Sequence, residues 1–190
     1  MATETLVAPA AELVGARWQI DAAHTEIEFS ARHLMISNVK GRFSNPAGSI
    51  SYDAAQPGSL SLDVTIPIAT IDTRNEQRDA HLRSADFFDA EHHPTMSFKG
   101  RRIEGDIRSR FKLVGDLTIR GITREVTLTV TAEGAGPDPW GNDRLGFSAT
   151  GRINRKDFGL MWNQLLETGG VAVGDEIKII INTELMRKKQ

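Results

Sequence analysis

The stretch RNEQRDAHLRSADFFDAEHHP, Arg74 to Pro94, holds three of the chain's five histidines beside a dense set of acids and arginines. Imidazoles and carboxylates at this density could bind a divalent ion or pass a proton. Spacing weighs against the ion. His92 and His93 precede Pro94, which biases them to extended backbone, and neighbours on an extended chain point to opposite faces. They are poorly placed to ligate one metal with His81, and no H-E-x-x-H spacing is present. The better supported reading is histidines that hydrogen-bond at a helix end or the start of a strand. Asp86 and Asp89 could act as an acid–base pair, although acids flanking a helix start more often serve as partners of the helix dipole.

Other reactive chemistry is thin. The absence of cysteine excludes a disulfide framework, a thiolate zinc site and a cysteine nucleophile. No G-x-S-x-G elbow occurs, and Gly169-Gly170 lacks the Lys-Ser/Thr pair of a phosphate cradle. The sequence therefore implies neither a metal nor a cofactor, and a non-enzyme is the favoured class. With 23 Lys+Arg against 25 Asp+Glu the net charge is -2, so no overall basic field draws the chain to nucleic acid or an anionic membrane.

The elements that must position any site come next. A chain of 190 residues suits one domain. The start, MATETLVAPAAELVGARW, has no positive n-region and is interrupted by Pro9 and Glu12, so it is a poor secretory signal. No apolar run approaches the ~20 residues of a transmembrane helix. The expectation is a cytoplasmic protein, with residues 1–16 an Ala-rich mobile tail and residues 17–188 the folded domain.

From Trp18 onward the dominant signal is period two, the mark of strands with one buried face. Ile27, Phe29 and Ala31 alternate with Glu28, Ser30 and Arg32. Leu60, Leu62, Val64, Ile66 and Ile68 form a second inward set, Phe111, Leu113, Gly115, Leu117 and Ile119 a third, and Val126, Leu128, Val130 and Ala132 a fourth. Ile177, Ile179, Ile181, Thr183 and Leu185 close the series. Turns fall at Glu104-Gly105-Asp106 and Arg120-Gly121, with a longer loop from Gly134 to Asn142. Long antiparallel strands with little room for helices give an all-β sandwich or barrel, and the barrel is favoured because it removes long exposed edges.

Arg74 to Pro94 is the exception to period two. Thr73 followed by Glu76 fits a capping box, predicting a helix from about Arg74. Ser84 reads as a second N-cap before Asp86-Phe87-Phe88. Such an excursion would sit at one end of a barrel, with Leu82, Phe87 and Phe88 turned inward.

Small residues interrupt the inward faces. Ala31 lies between Phe29 and His33, Gly115 between Leu113 and Leu117, and Ala149 between Phe147 and Gly151, where a filled barrel would want bulk. Such gaps could hold a long apolar ligand; alternatively, Phe98 or Met96 from neighbouring strands fill them. The segment Asp157 to Glu176 is too apolar for a solvent loop, with Leu160, Met161, Trp162, Leu165 and Leu166 close together. It reads as a mouth for an apolar pocket or as an oligomer contact.

Four motifs in order, WQIDAAHTEIEFSARHLMISNVKGRF, IDTRNEQRDAHLRSADFFDAEHHPTMSFKG, GDLTIRGITREVTLTV and WGNDRLGFSATGRINRKDFGL, resemble the YceI-like family of polyisoprenoid-binding, lipocalin-like proteins. The resemblance runs from about Trp18 to about Leu185. It implies an extended antiparallel, lipocalin-like β-barrel of about eight strands, with short helices between strands at the mouth. It further implies a channel for a long isoprenoid or fatty amphiphile, binding rather than catalysis, and a homodimer. Many relatives carry a secretion signal, and this chain shows none.

Together these readings give a non-enzymatic binder of a long-chain lipid such as a polyisoprenoid or isoprenoid quinone, or alternatively of a fatty acid or fatty amide. The expected wall is Phe29, Phe43, Leu62, Val64, Met96, Phe98, Leu113, Leu117, Phe147, Met161, Trp162 and Leu165. Phe88 should help close the channel, with Arg78 and His81 available to a head group and His33 on the inward face beside Ala31. The rival enzyme, an isomerase, cyclase or hydrolase, would have to use His33 or Asp157 with Arg155. A third reading is a filled barrel whose Met161/Trp162 segment serves only dimerisation.

Overall fold

The computed structural model describes residues 16–165 and 171–187, so most of the expected tail, and Leu166, lie outside the described residues. Ten strand segments form one antiparallel sheet: β1 (Trp18–Ile20), β2 (Glu26–His33), β3 (Ser37–Phe43), β4 (Ala47–Asp53), β5 (Gln56–Pro67), β6 (Thr95–Gly105), β7 (Arg110–Ile119), β8 (Ile122–Pro137), β9 (Asp143–Asn154) and β10 (Val173–Arg187). β1 and β2 pair with the same edge of β10, and β3 and β4 continue one another opposite them. They are two long strands, each interrupted once. The first break is the 3-10 turn Ala22–His24, capped by Asp21. The second holds Pro46, which has no amide to donate, after Asn45 at φ +55°.

Counted this way, eight strands follow one another as an up-and-down meander, and β1 pairing with both β4 and β10 closes the ring. The result is the expected all-β barrel. Closure removes the sheet edges, as the strand lengths require. One gap remains beside β3, where β5 ends at Pro67. Residues 68–73 fill it: the backbones of Arg42 and Asp72 exchange two hydrogen bonds, and the Thr70 hydroxyl bridges Ser44 and Pro67.

The period-two phases hold. Ile27, Ile66, Phe111, Leu117, Ile119, Val126, Leu128, Val130 and Leu185 are all buried inward. At Arg120-Gly121 both φ values are positive (+51° and +73°), giving the tight turn whose twist matches two paired strands. The expected loop at Gly134–Asn142 is shorter than its composition suggests, because Gly134 to Pro137 still pair with Asp143 to Gly146. Their glycines weaken a strand without forbidding it.

One α-helix is present among the described residues, α1 (Glu76–Arg83). It starts later than predicted, because its N-cap is Asn75, whose side chain accepts from the Arg78 amide at 2.9 Å. Thr73 does not cap. Its hydroxyl and amide both donate to the buried Asp79, at 2.5 and 2.9 Å, so the helix carboxylate reaches back to the preceding loop. Ser84 is the C-cap, donating to the His81 carbonyl, and no second helix follows. Asp89, at φ +51°, breaks the path, and its carbonyl accepts from the amides of His92 and His93. His92 consequently sits in a turn instead of the extended backbone expected before Pro94.

The excursion between β5 and β6 and the segment after β9 cover one end of the barrel, here the helix end, with Ile68, Ile71, Phe87, Phe158 and Leu160 buried beneath them. The opposite end is plugged by Trp18, Tyr52, Ile107 and Leu145. The guanidinium of Arg187 lies 4.8 Å from the Trp18 ring centre.

Candidate ligand-binding site

A cavity of about 280 Å³ runs along the barrel interior between the two ends. Its lining is built from the inward residues of nearly every strand, so the alternation that folds the barrel also makes its interior apolar. At the helix end it is bounded by Leu82, Phe87, Phe88, Ile119, Phe158 and Leu160. At the other end it reaches Ile20, Ile50, Ile103, Ile107 and Phe111. Phe43 bridges wall and cover, 5.5 Å from Phe29 and edge-on to Phe88 at 5.7 Å.

Polar groups in the lining are few and mostly satisfied. The hydroxyls of Thr25 and Thr183 bond each other at 2.8 Å. Arg155 is buried at the helix end, where its guanidinium donates to the carbonyls of Leu160 (2.5 Å), Trp162 (2.9 Å) and Gly174 (3.0 Å) and meets Asp175 at 3.3 Å. Burial pulls its pKa below the ordinary guanidinium value, against the pull of Asp175. Its donors are spent on fastening the chain after β9 to the start of β10. Glu28 belongs to the outer face, opposite Arg42 and Ile180.

Residues 18–185 match the model of the YceI-like domain family. The chain belongs to the YceI-like family. A UPF0312 protein of Staphylococcus aureus strain MSSA476 is 39% identical over 165 residues, covering 86% of this chain and 94% of the relative. One from Staphylococcus epidermidis is 39% identical over 169 residues, covering 88% and 96%. Among solved structures, the Campylobacter jejuni YceI protein superimposes with a TM-score of 0.69 at 34% identity, covering 83% of this chain and 90% of that one. A polyisoprenoid binding domain from Saccharophagus degradans shares the fold at 12% identity, with a TM-score of 0.62 and coverage of 90% and 98%.

In this YceI-like barrel, Phe29, Phe43, Leu62, Val64, Phe88, Met96, Phe98, Leu113, Leu117 and Phe147 line the cavity. The remaining sequence candidates do not. His33 ends β2, between Val173 and Ser37 on the flanking strands, and is not part of the lining. Arg78 is turned to the preceding loop, donating to the hydroxyl and carbonyl of Thr73, both at 2.7 Å. His81 bonds Asp86 at 2.9 Å and stacks edge-on against Phe87 and Trp162. Trp162 forms a second layer behind Phe87, at 5.3 Å, while Met161 and Leu165 are exposed. Asp157 is exposed, and Arg155 pairs with Asp175 from β10 in its place.

Of the three small-residue gaps one, at Gly115, is filled, as is the space at Gly151 next to Ala149. A Cβ on Gly115 would lie 2.4 Å from the Phe98 ring, and one on Gly151 would lie 2.6 Å from Leu128. Ala31 and Ala149 do line the cavity. The histidines of the opening stretch bond separately, His81 to Asp86 and His92 to Asp89, without converging. The group of possible metal ligands among the described residues is instead Asp21, His24 and Glu184, where Arg144 already contacts both carboxylates. Sequence reasoning also missed Ile107, an apolar residue inside the EGDIRSR turn that folds back as a plug.

Proposed function

We propose that this YceI-like protein binds a long-chain apolar ligand, a polyisoprenoid or isoprenoid quinone, inside the barrel and carries or sequesters it without chemical change. The carrying observation is the elongated cavity, whose wall is aliphatic and aromatic from end to end. Affinity then needs no polar anchor, since each buried methylene contributes about 0.8 kcal/mol before association costs. The groups that the sequence offered for catalysis lend the enzyme reading no support. His33 and Asp157 are not in the lining, and Arg155 is committed to backbone carbonyls. The polyisoprenoid-binding description of the Saccharophagus degradans domain supports the same ligand class.

Native mass spectrometry of freshly purified protein, followed by organic extraction, tests this reading. A stoichiometric long-chain isoprenoid supports it and names the ligand. A mass that stays apo after incubation with polyprenyl lipids and quinones overturns it.

A further inference from the structure

The β2–β3 hairpin ends the barrel wall at the helix end in an unusual way. Leu34 and Met35 both adopt the left-handed conformation, at φ +50° and +60°, where asparagine or glycine would sit with less strain. The strain secures no burial: Leu34, Met35 (54% exposed) and Ile36 (79% exposed) stand in solvent at the tip. The Leu34 amide donates to the Ala172 carbonyl, and the Ala172 amide to the Gln164 carbonyl, so exposed Leu165 lies one segment over from the tip. A run of large apolar side chains therefore surrounds one side of the cavity's covered end. Trp140, exposed at the opposite end, stands alone.

A basic band lies on the outer wall just behind this tip. Strand register places Lys40, Ser30, Lys178 and Arg152 side by side across β3, β2, β10 and β9, with Arg32 two residues nearer the tip. Neighbouring acids are largely neutralised: Glu176 pairs with Arg152, and Asp175 with Arg155 and Lys156. Arg32, Lys40 and Lys178 are in no ion pair among the described residues, against Glu28 as the unpaired acid of the same face. The near-neutral composition of the chain hides this local excess.

We infer that this end of the barrel docks on a bilayer bearing anionic lipids, with Leu34, Met35 and Ile36 inserted and Arg32, Lys40 and Lys178 facing the headgroups. The dimensions fit. A strand advances about 3.3 Å per residue, so the Lys40–Lys178 band sits roughly 17 Å behind the tip, while the Arg32 guanidinium reaches forward to the Met35 carbonyl at 2.8 Å. Interfacial insertion reaches about 5–10 Å, which carries the tip-bound Arg32 guanidinium in among the headgroup phosphates and leaves the lysine band within about a Debye length of the surface. A second copy of the chain is the poorer occupant, because a symmetric contact would set the same basic bands against each other. The inference rests on the apolar-carrier reading for its purpose: a ligand drawn from a membrane would pass beneath the docked cover without crossing water.

Flotation with vesicles of equal parts phosphatidylglycerol and phosphatidylcholine, against pure phosphatidylcholine, tests the docking. Wild type should float with the anionic vesicles and be released by salt. Lys40→Gln with Lys178→Gln should weaken binding roughly fourfold, at about twofold per cation for charges about a Debye length behind the surface. Ile36→Asp should weaken it about tenfold or more while leaving thermal unfolding unchanged, since the residue is largely exposed. No flotation of wild type, equal flotation with neutral vesicles, or a dimer that Ile36→Asp dissociates would each overturn the inference. Loading of a polyisoprenoid from detergent micelles, measured on the same variants, reports separately on the cavity. Docking without loading would remove the carrier reading alone, and loading without docking the surface alone.

Discussion

Replacing Ala149 by phenylalanine puts a ring into the cavity at a point where the wall already directs a Cβ inward. Ala149 sits between Val130 and Ile181 on the flanking strands, and all three line the cavity. A benzyl group there displaces about four methylenes of a bound chain, which at about 0.8 kcal/mol each is a loss of roughly 3 kcal/mol, or about 200-fold in affinity. The fold should tolerate the change, because the ring occupies existing space, and the melting temperature should stay within about 4 °C of wild type. Competition against a fluorescent polyene lipid measures affinity, and circular dichroism the melt. Unchanged affinity with an intact fold would refute the reasoning, since it would mean that the ligand does not use the central part of the barrel.

Gly115→Ala should behave oppositely to Ala149→Phe, losing about 1–3 kcal/mol of stability in urea titration. Its new Cβ would lie 2.5 Å from the Lys99 carbonyl oxygen as well as against Phe98. Arg155→Met should cost on the order of 3 kcal/mol, because the carbonyls of Leu160, Trp162 and Gly174 lose their buried donor; chemical denaturation reads the loss. At Asp138, burial opposes the charge, but hydrogen bonds from Asn142, Arg144 and Trp140 outweigh it and hold the carboxyl at about 2. A depressed folded value means stabilisation that is present above the unfolded pKa and lost as pH falls from about 4 through about 2. Asp138→Asn should therefore flatten the acid limb of a stability-against-pH curve. His92 should titrate above the ordinary histidine value by NMR, because its hydrogen bond to Asp89 favours the imidazolium, and Asp89→Asn should return it toward that value.

The parts of the fold legible in the sequence were those written in period two. Strand phase alone placed Phe29, Leu62, Val64, Leu113, Leu117 and Phe147 on the cavity wall, because a one-residue slip would have exposed each whole set. What was not legible depended on contacts between distant segments. The Thr73-to-Glu76 spacing is a proper capping signal, yet Asp79 captures the Thr73 hydroxyl and leaves Asn75 to cap. Arg78 and His81 looked free for a head group, but each finds its partner within six residues, on Thr73 and Asp86. A sequence shows that a polar side chain is near a pocket more readily than it shows whether that side chain is already engaged.

The origin of the cavity follows from the same comparison. Missing side chains on the inward faces are the intuitive source of an open interior, but here only Ala31 and Ala149 open onto the cavity, and the inward glycines do not. Phe98 lies over Gly115, Leu128 over Gly151 and Phe29 over Gly41, so these glycines let a larger neighbour lie flat against the wall. The space remains because an eight-stranded ring is just wide enough that inward side chains of aliphatic size need not meet at the axis. Its ends stay closed because Trp18, Leu145 and Ile107 plug one and Phe87, Phe158 and Leu160 the other. Of the two closures, the helix end is the one that can yield. It is held by the local hydrogen bonds of Arg155, and by Arg120, which donates to the Phe87 and Gly159 carbonyls at 3.1 and 3.4 Å. Most of the opposite plug, Trp18, Tyr52 and Leu145, is built into the barrel strands, whose ladders would have to separate for it to move, and Ile107 alone is carried by a turn. A ligand entering this barrel should therefore pass the aromatic cover of Phe87, His81 and Trp162.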